Sequence, residues 1–180
     1  MFMGGTFSAM NILGEKEDGT ILVNDVLPRS RLVYLFQKIA VGLLGGILSA
    51  GLTALVCIRP LRMIQLPGLT AVILLSAFLA SLAGAFTGRA AEGLMAGIGL
   101  LKLVMIGFIA PPILFWLLLP AGSRGNGLVC LVPSVPAFRG IMELLEGGSF
   151  PAVYILLLSV HCVVWLVMYL WTEMAGEKKK

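Results

Sequence analysis

Four stretches of this chain carry no Asp, Glu, Lys or Arg: Ile39 to Ile58, Leu66 to Gly88, Leu103 to Gly122 and Phe150 to Trp171. Each is roughly 20 residues long or more, and at a rise of about 1.5 Å per residue that is the length needed to cross a hydrocarbon core about 30 Å thick. In lipid only a helix or a closed barrel satisfies its own backbone, and continuous apolar runs of this length point to helices. The rest of the composition agrees. Hydrophobic residues make up 59% of the 180, charged residues only 12%, and the mean hydropathy is +1.02. A water-soluble domain has roughly 25% charged residues, so this chain has too little polar surface to coat a soluble globule.

The expected fold is an all-α membrane protein, one domain over residues 1–180. About four full transmembrane helices are placed near 32–58, 66–88, 100–121 and 150–172, with a partial apolar segment over 1–13. That first segment lacks the basic n-region and cleavage pattern of a signal peptide. It reads as the tail of a span whose beginning is missing. Cys57, Cys130 and Cys162 have no metal-ligand spacing and read as small hydrophobes.

Basic residues orient the bundle, because Lys and Arg are retained on the cytoplasmic side. With four spans, Lys16, Arg29, Arg31, Lys38, Arg89, Lys102, Lys178, Lys179 and Lys180 share one side, against Arg59, Arg62, Arg124 and Arg139 on the other, nine to four. Both ends are therefore expected in the cytoplasm, with residues 173–180 as a basic tail. The net charge of +4 points to a membrane surface and not to nucleic acid.

The most informative polar stretch runs from Leu13 to Lys38. Glu15, Lys16, Glu17 and Asp18 form a charged knot, and Gly19 breaks the chain direction. Thr20 is placed to cap a short helix, Ile21 to Leu27, which Pro28 ends. Ser30 can cap the helix that follows, through Leu32, Tyr34 and Phe36, into the membrane. Within the spans, small residues recur four apart: Gly42 and Gly46, extended by Ala50 and Ala54, then Ala80, Gly84 and Gly88. Such stripes bring helix backbones close together, within one chain or across a dimer. Pro111-Pro112, near the middle of the third span, removes two N–H donors and is expected to kink the helix or break its regularity. Residues 123–148 are expected to form an external hairpin. Its amphipathic helix has Phe138, Ile141, Met142 and Leu145 on one face and Arg139, Glu143 and Glu146 on the other, and the apolar piece before it makes a re-entrant pairing conceivable.

No enzyme constellation stands out. The Gly-Lys-Ser/Thr phosphate loop is absent, so ATP hydrolysis is not expected of this chain, and neither a metal cluster nor a nucleophile elbow is present. His161 lies mid-way along the last span, where an ionisable group is a functional candidate by default and a lining residue for a substrate path. The plainer reading is a neutral imidazole bonded to a neighbouring helix.

The stretch EKEDGTILVNDVLPRSRLVYLFQK resembles a motif of type-2 ATP-binding-cassette exporter permeases, at Glu15, Glu17, Gly19, Thr20, Pro28, Tyr34, Leu35 and Lys38. In that family a Glu-x-Glu-x-Gly-Thr run follows the second span, then come a short apolar helix, a proline corner and a Tyr-Leu-x-x-Lys entry to the third. The later layout is similar too. The resemblance implies that residues 14–31 form a cytoplasmic coupling segment, with Glu15, Glu17, Asp18, Gly19, Thr20, Asp25, Pro28 and Arg29 facing a separate ATPase subunit. It implies further that ATP and Mg are bound by that subunit and by nothing in this chain, that a second permease copy or paralogue completes the transporter, and that the location is a bacterial inner membrane. The family usually has six spans, so the resemblance places Met1 to Leu13 at the end of the second. A small membrane scaffold without transport activity is the alternative. A lipid-acting enzyme would have to draw on Arg139, Glu143 and Glu146, which read better as the wet face of a helix.

Overall fold

The computed structural model describes residues 2–20, 31–57, 65–118, 130–146 and 150–177. They form six helices: α1 (Phe2–Glu17), α2 (Arg31–Cys57), α3 (Leu66–Ala90), α4 (Leu94–Leu118), α5 (Ser134–Leu145) and α6 (Ala152–Glu177). Four of them hold stretches long and apolar enough to cross a membrane: Val33–Cys57, Leu66–Ala90, Leu94–Leu118 and Ala152–Thr172. The fold is an all-helical bundle of four spans, with the shorter α1 and α5 packed into it.

The centre of the bundle is α3. It packs against every other helix, and 67% of its apolar window is buried, against 17%, 11% and 17% in α2, α4 and α6. Its sequence explains the position. From Ser76 to Gly88 it is built largely of Ala, Gly, Ser and Thr, so neighbours approach its backbone closely, which is what drives helix association where lipid tails already solvate apolar side chains. The hydroxyls of Ser76, Ser81 and Thr87 donate to carbonyls one turn back in the same helix, at 2.6, 2.7 and 2.8 Å. They are thus satisfied in an environment without water.

Helix α1 wedges between α2 and α3, and the small-residue stripes face it. A Cβ on Gly4 would meet the Gly42 carbonyl at 2.6 Å, and one on Gly5 the Ala80 carbonyl at 2.7 Å. A Cβ on Gly84 would fall on the Gly5 carbonyl, and one on Gly88 would meet the Ala9 carbonyl at 3.0 Å. Ser8 Oγ donates to the Lys38 carbonyl at 3.0 Å. The stripes therefore serve packing within the chain. Below this contact Ile12, Leu35, Ile39, Leu82, Ala85 and Tyr169 form a core joining α1, α2, α3 and α6, with Phe86 edge-on to Tyr169 at 5.0 Å and to Trp165 at 5.9 Å.

Three local expectations need correction. First, α1 does not stop at Leu13 but runs a further turn, so the charged knot lies on the helix end; Gly19, at φ +68°, supplies the left-handed turn beyond it. Second, α4 begins at Leu94, well before residue 100, and remains one helix through Pro111 and Pro112. Lys102 therefore sits inside this helix, exposed, where its long stem lets the ammonium reach the interface. Third, α5 starts at Ser134 and buries Val135, Pro136, Ala137, Gly140 and Leu144. The apolar face expected to lie in the interface is half-covered at Phe138, Ile141 and Met142 and exposed at Leu145. The reason is close approach: Gly140 lies over Val72 and Tyr154, a fit that a hydrophobicity pattern does not register. The expected coupling helix Ile21 to Leu27, with Asp25, Pro28 and Arg29, lies outside the described residues, as do Arg59, Arg62 and Arg124.

Candidate functional site

Two regions of the bundle hold the candidate residues: a polar clasp at the end of α1, and a cavity on the side of the bundle that carries α5.

The clasp joins three helices. Glu15 Oε1 pairs with Lys38 Nζ, which also donates to Asn11 Oδ1. Tyr34 Oη donates to Glu15 Oε2 at 2.7 Å, and the Lys38 ammonium lies 5.2 Å from the centre of the Tyr34 ring. Lys38 is only 7% exposed, so its charge needs this carboxylate and amide around it. Next to Glu15 in sequence, Lys16 points the other way and donates to the carbonyls of Arg89 at 2.8 Å and Ala91 at 2.6 Å. It thereby closes the C-terminus of α3, where a cation suits both the orphan carbonyls and the helix dipole. Burial, and then the nearby Arg89 guanidinium, hold the Lys16 ammonium below its ordinary pKa of 10.5.

The acidic knot is therefore divided. Glu15 is turned inward to α2, whereas Glu17, Asp18, Gly19 and Thr20 are exposed. The backbone amides that Thr20 was expected to cap lie outside the described residues. Thr20 Oγ1 donates back to the Glu15 carbonyl at 3.3 Å.

The cavity has a volume of about 600 Å³ and is enclosed by residues of all six helices. Its wall is almost entirely apolar. Phe2, Phe108 and Phe138 bring one aromatic ring each from α1, α4 and α5; Phe2 stands edge-on to Phe108 at 6.0 Å, and Phe138 edge-on to Trp116 at 5.8 Å. No Asp, Glu, Lys, Arg or His among the described residues lines it. Among the described residues, the wall residues Cys57 on α2 and Ile109 and Ile113 on α4 are exposed, which leaves the cavity open on that side. Pro112, buried, is part of the same wall. A space of this size is that of a drug-sized ligand pocket.

His161 is not on that wall. Its Nδ1 is 2.8 Å from the carbonyl of Leu157 in its own helix, and its Nε2 is 3.0 Å from the Leu131 carbonyl. It ties α6 to the short turn ahead of α5. Neither the cavity nor Ser134, the first residue of α5, is visible in the hydrophobic periodicity. The available signal was the Pro133-Ser-Val-Pro136 spacing, which marks a helix start two residues earlier than Pro136 alone.

No curated protein and no solved structure matches the chain. Residues 1–170 match a family model described as fluoroquinolones export permease protein Rv2686c-like. An apolar bundle with an aromatic-lined space inside it fits an export permease, and the match spans nearly the full sequence; the chain belongs to the Rv2686c-like fluoroquinolone export permease family.

Proposed function

We propose that this chain is the membrane permease subunit of an ATP-driven exporter of the type-2 ATP-binding-cassette kind, working with a separate ATPase subunit and a second permease copy or paralogue. The family match over residues 1–170 carries the reading. The division of the acidic knot supports it. With Glu15 occupied by Lys38 and Tyr34, the exposed Glu17 and Asp18 are the acidic groups left to meet basic residues of a partner. The segment of residues 21–30 that follows is the proposed coupling element. Displacement there passes into α1, whose last turn is locked to α2 through Lys38 and to α3 through Lys16. The family description names fluoroquinolones, and the exported compounds proposed here are aromatic amphiphiles of that general size.

The test is a pull-down of the tagged chain from detergent-solubilised membranes of its source cells, beside a Glu17→Ala/Asp18→Ala version. Recovery of an ATPase subunit with the native chain, and a marked loss with the substituted one, is the expected result. Glu15 is left intact so that loss of binding is not confused with loss of folding. If neither version brings down an ATPase, the exporter reading gives way to a membrane scaffold.

A further inference from the structure

His161 is the one histidine of the chain, and both of its ring nitrogens face the same kind of atom. Nδ1 lies 2.8 Å from the Leu157 carbonyl and Nε2 lies 3.0 Å from the Leu131 carbonyl. A carbonyl oxygen only accepts, so each contact needs a proton on the nitrogen. A neutral imidazole has one N–H and serves one of the two; at the other a lone pair is set against an oxygen. The imidazolium donates to both. A charge on a membrane helix is costly unless its protons are taken up, and here two acceptors are in place. Among the described residues these carbonyls are the hydrogen-bond partners of the ring. The elements around it bring few ionisable groups. Between Leu66 and Gly88, α3 has no charged residue. The turn brings Cys130, α5 brings Arg139, Glu143 and Glu146, and α6 itself Tyr154 and Cys162. Lys102 lies toward the start of α4, whereas Phe115, near the end of that helix, packs against the turn. Helices α1 and α2 join α6 at its far end, around Tyr169. None of these groups bonds to the imidazole.

We propose that His161 is a proton-operated latch: doubly protonated, it fastens the turn ahead of α5 to α6, and loss of one proton loosens that end of α5. Helix α5 is pinned near both ends. At its C-terminal end Gln65 Nε2 donates to the Leu144 carbonyl at 2.8 Å. At its N-terminal end the tie is the Leu131 contact with His161. Imidazole changes charge between about pH 5 and 8, and an amide does not, so only one of the two pins responds to protons. Between them Ser134, Ala137, Phe138, Ile141 and Leu145 form one wall of the cavity. Acid therefore fixes this wall at both ends, and alkali leaves it held firmly at one. The His161–Leu131 contact is at the surface of the bundle, so proton exchange does not require the core to open. The latch stands apart from the exporter reading and needs no ATPase.

The experiment uses the full chain in phosphatidylcholine nanodiscs, purified through an affinity tag free of histidine and labelled with nitrogen-15 at its single histidine. The ring nitrogen shifts report the protonation state. Amide hydrogen exchange, corrected for its intrinsic pH dependence, reports the turn. Between about pH 8 and 5.5 the ring is expected to pass from one N–H to two. Over the same interval protection at residues 131–135 should rise about five- to tenfold, the gain from charging the donor of one hydrogen bond. Protection at residues 144–146, beside the Gln65 pin, should stay constant. His161→Leu and His161→Gln should both lose the pH dependence, with glutamine, an uncharged donor, keeping more of the protection; an intact α1–α3 contact in the same exchange data confirms that each variant folds. A ring that stays neutral down to about pH 5.5 overturns the latch. So does protection at residues 131–135 that is flat or falls in acid, or a rise that persists in His161→Leu.

Discussion

Lys38 shows how a charge is kept near the membrane. It is nearly buried, and Glu15, Asn11 and the Tyr34 ring surround it. Removing one member of such a pair strands the other, which costs more than removing both. Glu15→Ala is therefore expected to destabilise the chain by about 2–3 kcal/mol in mixed-micelle unfolding, and Glu15→Leu with Lys38→Met to recover much of that loss. Lys16 yields a prediction of opposite character. Because its folded pKa lies below 10.5, the folded chain gives up this proton at lower pH than the unfolded chain does. The unfolded state binds more protons in that window, so stability rises with pH through the interval ending near 10.5. Lys16→Met should flatten that rise in thermal melts recorded in detergent. At this scale the sequence was partly legible: Tyr34 and Lys38 were recognised as motif positions, but their common partner Glu15, on another helix, was assigned outward. Residue spacing says nothing about which way a carboxylate at a helix end turns.

At the scale of the helices, the small-residue stripes were legible because their period of four is a property of one helix. Their partner was not, because it is α1, the short helix read as a remnant. Gly84 and Gly14 separate contact from propensity. A side chain at Gly84 would strike the Gly5 backbone, whereas nothing lies within 4 Å of a Cβ at Gly14. Gly84→Val is expected to cost about 1–3 kcal/mol by forcing α1 off α3. Gly14→Ala should be neutral or stabilising by up to about 1 kcal/mol, since alanine favours a helix interior over glycine. Sodium dodecyl sulfate titrations of the two variants check both. His161 belongs to the same scale. Its contacts are those of the plainer of its two readings, an imidazole bonded to a neighbouring element, since it holds the turn at Leu131 to α6. His161→Leu should speed hydrogen exchange at residues 131–135 while leaving the α1–α3 contact protected. The face of α5 that packs on the bundle was not legible, because its burial follows a glycine contact and two prolines, Pro133 and Pro136, and not the largest side chains.

For the molecule as a whole, the four apolar runs carried the class and the number of spans, since length and absence of charge are enough to define a crossing helix. The cavity was not legible: it is a property of how α3, α4 and α5 are spaced, and single-helix patterns hold no information on that. The nine-to-four distribution of basic residues predicts that the exposed end of α1 faces the cytoplasm and the end of α5 the opposite side. In a Cys57→Ala background, Asp18→Cys should react with a membrane-impermeant maleimide only in inverted vesicles, and Glu146→Cys only in intact cells. Labelling of both from one side would reject the orientation.

The central position of α3 has a consequence for how the protein responds to its membrane. Because α3 scarcely meets lipid, while α2, α4 and α6 present most of their surface outward, a thicker or thinner bilayer acts on the outer helices and leaves the inner one untouched. Adjustment of tilt to thickness, worth fractions of a kcal/mol per Å, then falls mainly on α4 and α6, because α1 ties α2 to α3 through Lys38 and Lys16. Of the three, α4 is the least embedded and forms one side of the cavity's opening. The lipid composition of the host membrane thereby enters directly into the width of that opening.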